Sequence, residues 1–170
     1  DLEDTSTDED TPTATLHVDI SDAETDAVDL IFTIAATNSD LVLDSDIAVT
    51  RTDGSIDFVI TPLPNRHGTT NIQLLASDGV AQTLSTFQLT VNSVNDAPSA
   101  EDMSVSTNED SAITINVISP NADVDGDSLT SSTTVDPLHG SAVKNPDNTI
   151  TYTPELNFYG SDSFTYRLAD

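Results

Sequence analysis

The sequence predicts an all-β chain of two tandem seven-stranded Greek-key β-sandwiches, the second lacking its last strand. Three observations carry this. Apolar and polar residues alternate at period two along most of the chain, and helical spacing is nowhere sustained. Turn-formers such as Asn38-Ser39-Asp40, Asp53-Gly54, Pro64-Asn65 and Asp78-Gly79 interrupt the alternation at roughly ten-residue spacing. Landmarks of the first half also return, in the same order, in the second.

In the first half, Leu16, Val18 and Ile20 mark one strand, and Leu30, Phe32 and Ile34 the next. Ile47 and Val49 follow, then Ile56, Phe58 and Ile60, then Ile72, Leu74 and Ala76, and Phe87, Leu89 and Val91 close the series. In the second half the runs are Met103 and Val105, then Ile113, Ile115 and Val117, then Leu129 onward. Ala142 and Val143, Ile150 and Tyr152, and Phe164, Tyr166 and Leu168 complete it.

The repeat is explicit in the residues. Ser6-Thr7-Asp8-Glu9-Asp10 returns as Ser106-Thr107-Asn108-Glu109-Asp110, and the acidic loop Asp22–Asp26 returns as Asp123–Asp127. Thr61-Pro62 through His67-Gly68 returns as Thr153-Pro154 through Tyr159-Gly160, and Asp78 answers to Asp170. Two copies of one fold are therefore expected, over residues 1–96 and 97–170. Val94-Asn95-Asp96-Ala97-Pro98 joins them as a short stiff hinge, because proline fixes its own φ and holds the preceding residue extended. The second copy stops where the first still has Thr83–Val94 to come, so an unpaired edge is expected there. A partner strand or a further stretch of chain is expected to cover it.

Composition narrows the function. The chain has 170 residues, 30 acidic against 4 basic, and a net charge of −26. Such a field repels nucleic acid and anionic lipid. Asp outnumbers Glu by 24 to 6, which favours loop clusters over the evenly solvated acidity of a salt-adapted surface. There is no cysteine, and no apolar run approaches a membrane span. With no initiating Met or signal peptide, the chain reads as a piece of something longer. No Gly-x-Ser-x-Gly elbow, cysteine nucleophile or phosphate loop is present, and an enzyme is not expected. His17 falls on the outward side of a strand, and His67 and His139 in turns, where structural roles suffice.

Strand counting gathers the acidic residues. In a seven-stranded antiparallel module, loops after odd strands lie at one end and loops after even strands at the other. Glu9 and Asp10 then fall at the trailing end of the first module, beside Asn95 and Asp96. Asp123, Asp125, Asp127 and Asp170 fall at the leading end of the second, against the same hinge. Clustered carboxylates repel unless a cation joins them. Calcium suits the set, since it is hard, takes about six to eight oxygens and tolerates irregular loop geometry. Magnesium demands a tighter octahedron, and zinc would want grouped His or Cys. The loop is not an EF-hand, because Gly126 stands fourth rather than sixth and position twelve is Thr134.

Val94-Asn95-Asp96-Ala97-Pro98, Asn108-Glu109-Asp110, Asp123-Val124-Asp125-Gly126-Asp127, Leu138-His139-Gly140 and Tyr152-Thr153-Pro154 together resemble the bacterial cadherin-like, Ig-like tandem repeats of large RTX-type surface adhesins. The resemblance covers essentially the whole chain. It implies an extracellular, calcium-rigidified rod segment at the bacterial surface, serving cell or biofilm adhesion, with neighbouring repeats as its partners. Host-cell or matrix glycans and proteins would be met by other domains. It matches Glu9 to the acidic residue between the first two strands, Asn95 and Asp96 to the linker, Asp123 and Asp125 to the Asp-x-Asp loop, and Asp170 to the acidic residue before the last strand. One departure is Asn65-Arg66-His67, where cadherins carry Asp-Arg-Glu, which implies fewer ions or weaker binding. Asp22, Glu24, Asp26 and Asp78 would face a preceding module, and Glu109 a following one. The competing readings are a carbohydrate-binding module of a secreted polysaccharide-active protein and a homophilic adhesion module.

Overall fold

A computed structural model describes residues 2–23, 29–52 and 54–170. Glu24 and Asp26 of the expected acidic loop, and Asp53 of the Asp53-Gly54 turn, lie outside these. The chain is all-β, with a 3-10 turn at Asp44–Asp46 among its described elements. It forms two compact units, Asp1–Val94 and Asn95–Asp170.

The first unit holds β1 (Thr5–Asp8), β2 (Leu16–Asp19), β3 (Ile31–Ala36), β4 (Ile47–Thr52), β5 (Ser55–Ile60), β6 (Gly68–Ser77) and β7 (Gln82–Asn92). They make a four-stranded sheet in the order β1-β7-β6-β3 and a three-stranded sheet in the order β2-β5-β4. All pairs are antiparallel except β1 with β7, which run parallel with Thr5 opposite Leu89. The period-two pattern buries one face of each sheet. Ile56, Phe58 and Ile60 of β5 meet Ile72 of β6 and Phe87, Leu89 and Val91 of β7 in a single core. Leu41 and Val42 join it from the loop after β3, a contribution that no strand pattern announces.

The second unit holds β8 (Ile113–Ile115), β9 (Thr130–Val135), β10 (Gly140–Lys144), β11 (Ile150–Pro154) and β12 (Thr165–Ala169). Their sheets, β10-β11-β8 and β12-β9, repeat β4-β5-β2 and β6-β3 of the first unit. The repeat reaches into turn geometry. Asp10 and Asp110 have φ of 59° and 60°, Asn65 and Asn157 of 53° and 57°, and Gly68 and Gly160 of 133° and 131°. Ile115, Val117, Ala122, Ile150 and Leu168 form the core, with Tyr152, Phe164 and Tyr166 packed against it.

One expected element differs. The Met103–Val105 run is not a strand, and both side chains are about half exposed. The physical reason is visible in the first unit, where β1 has β7 as its ladder partner. Among the described residues no strand of the second unit takes the place that β7 holds beside β1, and residues 103–106 have no ladder partner there.

Candidate metal centre

The acidic loop Asp123–Asp127 follows Ala122, which is buried and accepts a hydrogen bond from Ser99 N at 2.6 Å. That anchor fixes where the loop starts. Gly126 adopts φ of 80°, a left-handed conformation that turns the chain back on itself. Asp127 N then donates to Asp123 Oδ1 at 3.0 Å. The result brings one carboxylate oxygen from each of Asp123, Asp125 and Asp127 within 4.8 Å of one another.

Two further bonds involve the other expected ligands, one reaching this loop and one joining Asn95 to Asp170. Asp96 N donates to Asp125 Oδ2 at 2.7 Å. The Asn95 side-chain amide donates to Asp170 Oδ2 at 2.5 Å. That bond holds the Asp170 carboxyl below the usual carboxylate range. Six of the eight expected residues, Asn95, Asp96, Asp123, Asp125, Asp127 and Asp170, thus belong to the second unit and are joined through these contacts and through adjacency in the chain.

One atom stands out. Asp123 Oδ2 is buried and has no hydrogen-bond partner. A buried carboxylate oxygen without a donor is costly, and here other carboxylates crowd it. No basic side chain makes an ion pair with the cluster among the described residues. A hard divalent cation fits this donor set, which is all oxygen and strongly negative.

Glu9 and Asp10 belong to the first unit, and their carboxylates have separate tasks. Glu9 is almost wholly buried, and its Oε1 accepts from Val94 N at 2.8 Å while its own N donates to Asn92 O at 2.9 Å. His67 Nδ1 lies 3.8 Å from the same Oε1. Glu9 therefore pins the last residue of its unit. Asp10 Oδ1 accepts from Asn65 N at 2.9 Å, and Asp110 Oδ1 repeats this with Asn157 N at 2.7 Å. Asp78, expected in a half-site, caps its own turn by accepting from Val80 N and Ala81 N. The Ala81 and Val80 bonds hold its carboxyl low.

Sequence reasoning overlooked Asp162. Its carboxylate accepts from Leu138 N, His139 N, Ser163 N and the Tyr152 hydroxyl, at distances between 2.9 and 3.0 Å. Burial pushes the Asp162 carboxyl up, but these four donors outweigh it and leave the group low. The Tyr152 hydroxyl moves the other way, raised by burial and by the Asp162 bond. No spacing rule could have found it, because three of the four donors are backbone groups.

One family model and several solved structures resemble parts or all of the chain. Residues 95–170 match the family model described as a bacterial Ig domain, a non-catalytic domain type, which spans the whole second unit. No curated protein sequence matches the chain. Among solved structures, the human desmocollin-1 ectodomain aligns over 99% of this chain and 33% of its own, at 16% identity and a TM-score of 0.49. An endo-fucoidan hydrolase of glycoside hydrolase family 107 aligns over 99% of this chain at 19% identity and a TM-score of 0.44. The chain spans only 25% of that hydrolase. Two titin domains crystallised with telethonin align over 98% of this chain and 84% of theirs, at 16% identity and a TM-score of 0.42. The second unit is thus similar throughout to a bacterial Ig-like domain. Among the described residues no helix is long and apolar enough to cross a membrane.

Proposed function

We propose that the chain is a calcium-rigidified extender segment of a bacterial cell-surface adhesin, acting outside the cell between neighbouring repeats. The observation that carries this reading is Asp123 Oδ2, a buried and unpartnered oxygen inside a triplet of carboxylates. Asp123, Asp125 and Asp127 would supply the carboxylate ligands. Asn95, Asp96 and Asp170 stand next in line through their bonds to the loop and to each other. Glu9 and Asp10, expected beside this set, are committed within the first unit to Val94 N and Asn65 N. A bound calcium ion would neutralise the triplet and hold the linker residues against the loop.

The function is then mechanical. Extracellular calcium modules commonly bind with a Kd of ~10⁻⁴ to 10⁻³ M. At a calcium concentration ~100-fold above Kd, binding stabilises the holo form by ~2.7 kcal/mol. That is a large share of a small domain's stability of about 5–15 kcal/mol. A dye pair placed at Ser45 and Ser141 through cysteine substitution tests the stiffening. The distance distribution should narrow with calcium and broaden with chelator. An unchanged distribution contradicts the reading.

Nothing in the aromatic residues favours a sugar platform. Tyr152, Phe164 and Tyr166 pack against the core, with Tyr152 and Phe164 stacked at 6.4 Å between ring centroids. Tyr159 is 87% exposed but stands without a coplanar neighbour ring among the described contacts.

A further inference from the structure

The charge of this chain is unevenly placed in the fold. Of the 30 acidic residues, Asp8, Asp19 and Asp57 alone stand in described strands. β3, β6 and β7 carry no charged residue of either sign. These three strands belong to the sheet β1-β7-β6-β3 of the first unit. Phe32, Ile34, Ile72, Leu74, Phe87 and Leu89 turn one face of it to the core, so the alternate positions make the outward face. The other sheet of the unit differs, since it exposes His17, Asp19 and Asp57 in one bonded group.

The uncharged face has an apolar centre in a neutral polar field. Leu75 of β6 stands directly opposite Leu84 of β7 and Thr33 of β3, with Ile31 on the adjoining row. Ile31 is 64% and Leu84 56% exposed. The rows on the other side hold Gln73 opposite Thr86 and Asn71 opposite Gln88. Each of these four polar side chains carries both a donor and an acceptor. Carboxylates stand at the rim. Asp4 and Asp8 lie along the β1 edge, where they accept from Gln88 N and from the Asn92 side-chain amide, and Asp29 and Asp78 lie just beyond the ends of β3 and β6.

We infer that two copies of the chain pair through this face, sheet against sheet, with Leu75 and Leu84 of one copy over those of the other. Self-pairing sets a surface against itself, which a face bearing one sign of charge resists and a neutral one allows. Side chains that both donate and accept can satisfy their own copies, and the leucines supply apolar area to remove from water. A cationic partner would be drawn instead to the acidic loops, where the charge of −26 is concentrated. At ordinary strand spacing the sheet covers roughly 500 Å², or about 1,000 Å² for a pair, the lower limit for a specific interface. Pairing of isolated chains is therefore weak. It uses a surface apart from the Asp123–Asp127 loop and goes beyond the extender reading without resting on it.

Sedimentation velocity of the whole chain at concentrations up to ~1 mM tests this. A shift from monomer toward dimer is expected, larger at ~0.5 M than at ~0.05 M sodium chloride, because salt screens the rim carboxylates. Dilution should move the NMR signals of Gln73, Leu75, Leu84 and Thr86. Leu84→Asp should weaken pairing at least ~10-fold by setting like charges against each other. Gln73→Glu, nearly identical in shape, should weaken it in the same direction while the melting temperature holds. Val143→Asp, at a 58% exposed apolar position on β10, should leave pairing unchanged. A chain that stays monomeric throughout overturns the inference, as does pairing that weakens with salt or survives both face variants. Dilution shifts at β9 and β12 in place of β6 and β7, or equal weakening by Val143→Asp, would overturn it too. Loss of pairing in chelator or in Asp123→Asn would assign the contact to a shared cation and also overturn it, whereas unchanged pairing there supports the neutral face.

Discussion

Asn95 and Asp170, the first and last residues of the second unit, are joined by a hydrogen bond from the Asn95 side-chain amide to Asp170 Oδ2. The bond ties the segment that enters the unit to the residue that follows β12. It does so beside Asp96, whose N–H is held by the acidic loop.

This bond sets a pH response. The Asp170 carboxyl is depressed, first by Asn95, so its contribution is present above the ordinary aspartate value of about 3.9 and fades as pH falls through the folded value. Carboxyl NMR titration should place the Asp170 midpoint below the ordinary aspartate value. In Asn95→Ala it should rise toward the ordinary value. An unchanged Asp170 midpoint in that variant would show that the bond does not form in solution.

His17 responds in the opposite sense. Its Nδ1 meets Asp57 at 2.6 Å and its Nε2 meets Asp19 at 3.2 Å. The Asp57 bond, then the Asp19 bond, raises the imidazole above about 6.5. Stability from this pair is fully present below that value and is lost as pH rises through the folded value. Asp57→Asn should lower the His17 midpoint more than Asp19→Asn does, as read from imidazole proton shifts.

Asp162 holds four donors together, so Asp162→Ala should destabilise the second unit by about 1–2 kcal/mol. Chemical denaturation followed by tyrosine fluorescence measures this. A loss indistinguishable from zero would mean that water replaces the carboxylate at all four positions.

Gly140 is a steric requirement. A Cβ there would lie 2.6 Å from Thr153 O and 2.7 Å from a Tyr152 ring carbon, across the β10–β11 pair. Backbone on the partner strand cannot step aside cheaply, so Gly140→Ala should cost about 1–3 kcal/mol in the same unfolding experiment. Wild-type stability in that variant would contradict the close approach.

The strands were legible where both partners of a ladder lie in the chain. Period-two alternation marked Ile56, Phe58 and Ile60, and the structure buries all three. The same reasoning failed at Met103 and Val105, because alternation records a side chain's preference and not whether a neighbouring strand exists. The clustering of the acidic loop was legible because its carboxylates alternate within five residues. Glu9 was visible as an acidic residue near the end of the unit, but its bond to Val94 N was not. Asp162 was illegible for a related reason: the directions of Leu138 N, His139 N and Ser163 N are set by tertiary packing.

The claim on which the functional reading rests is that Asp123 and its neighbours hold calcium. Thermal unfolding of the chain and of Asp123→Asn, each with calcium, with magnesium at equal ionic strength and with chelator, tests it directly. The account predicts a higher melting temperature with calcium than with magnesium, and no calcium-specific gain in the variant. Equal protection by both ions, or a gain that survives Asp123→Asn, would contradict it.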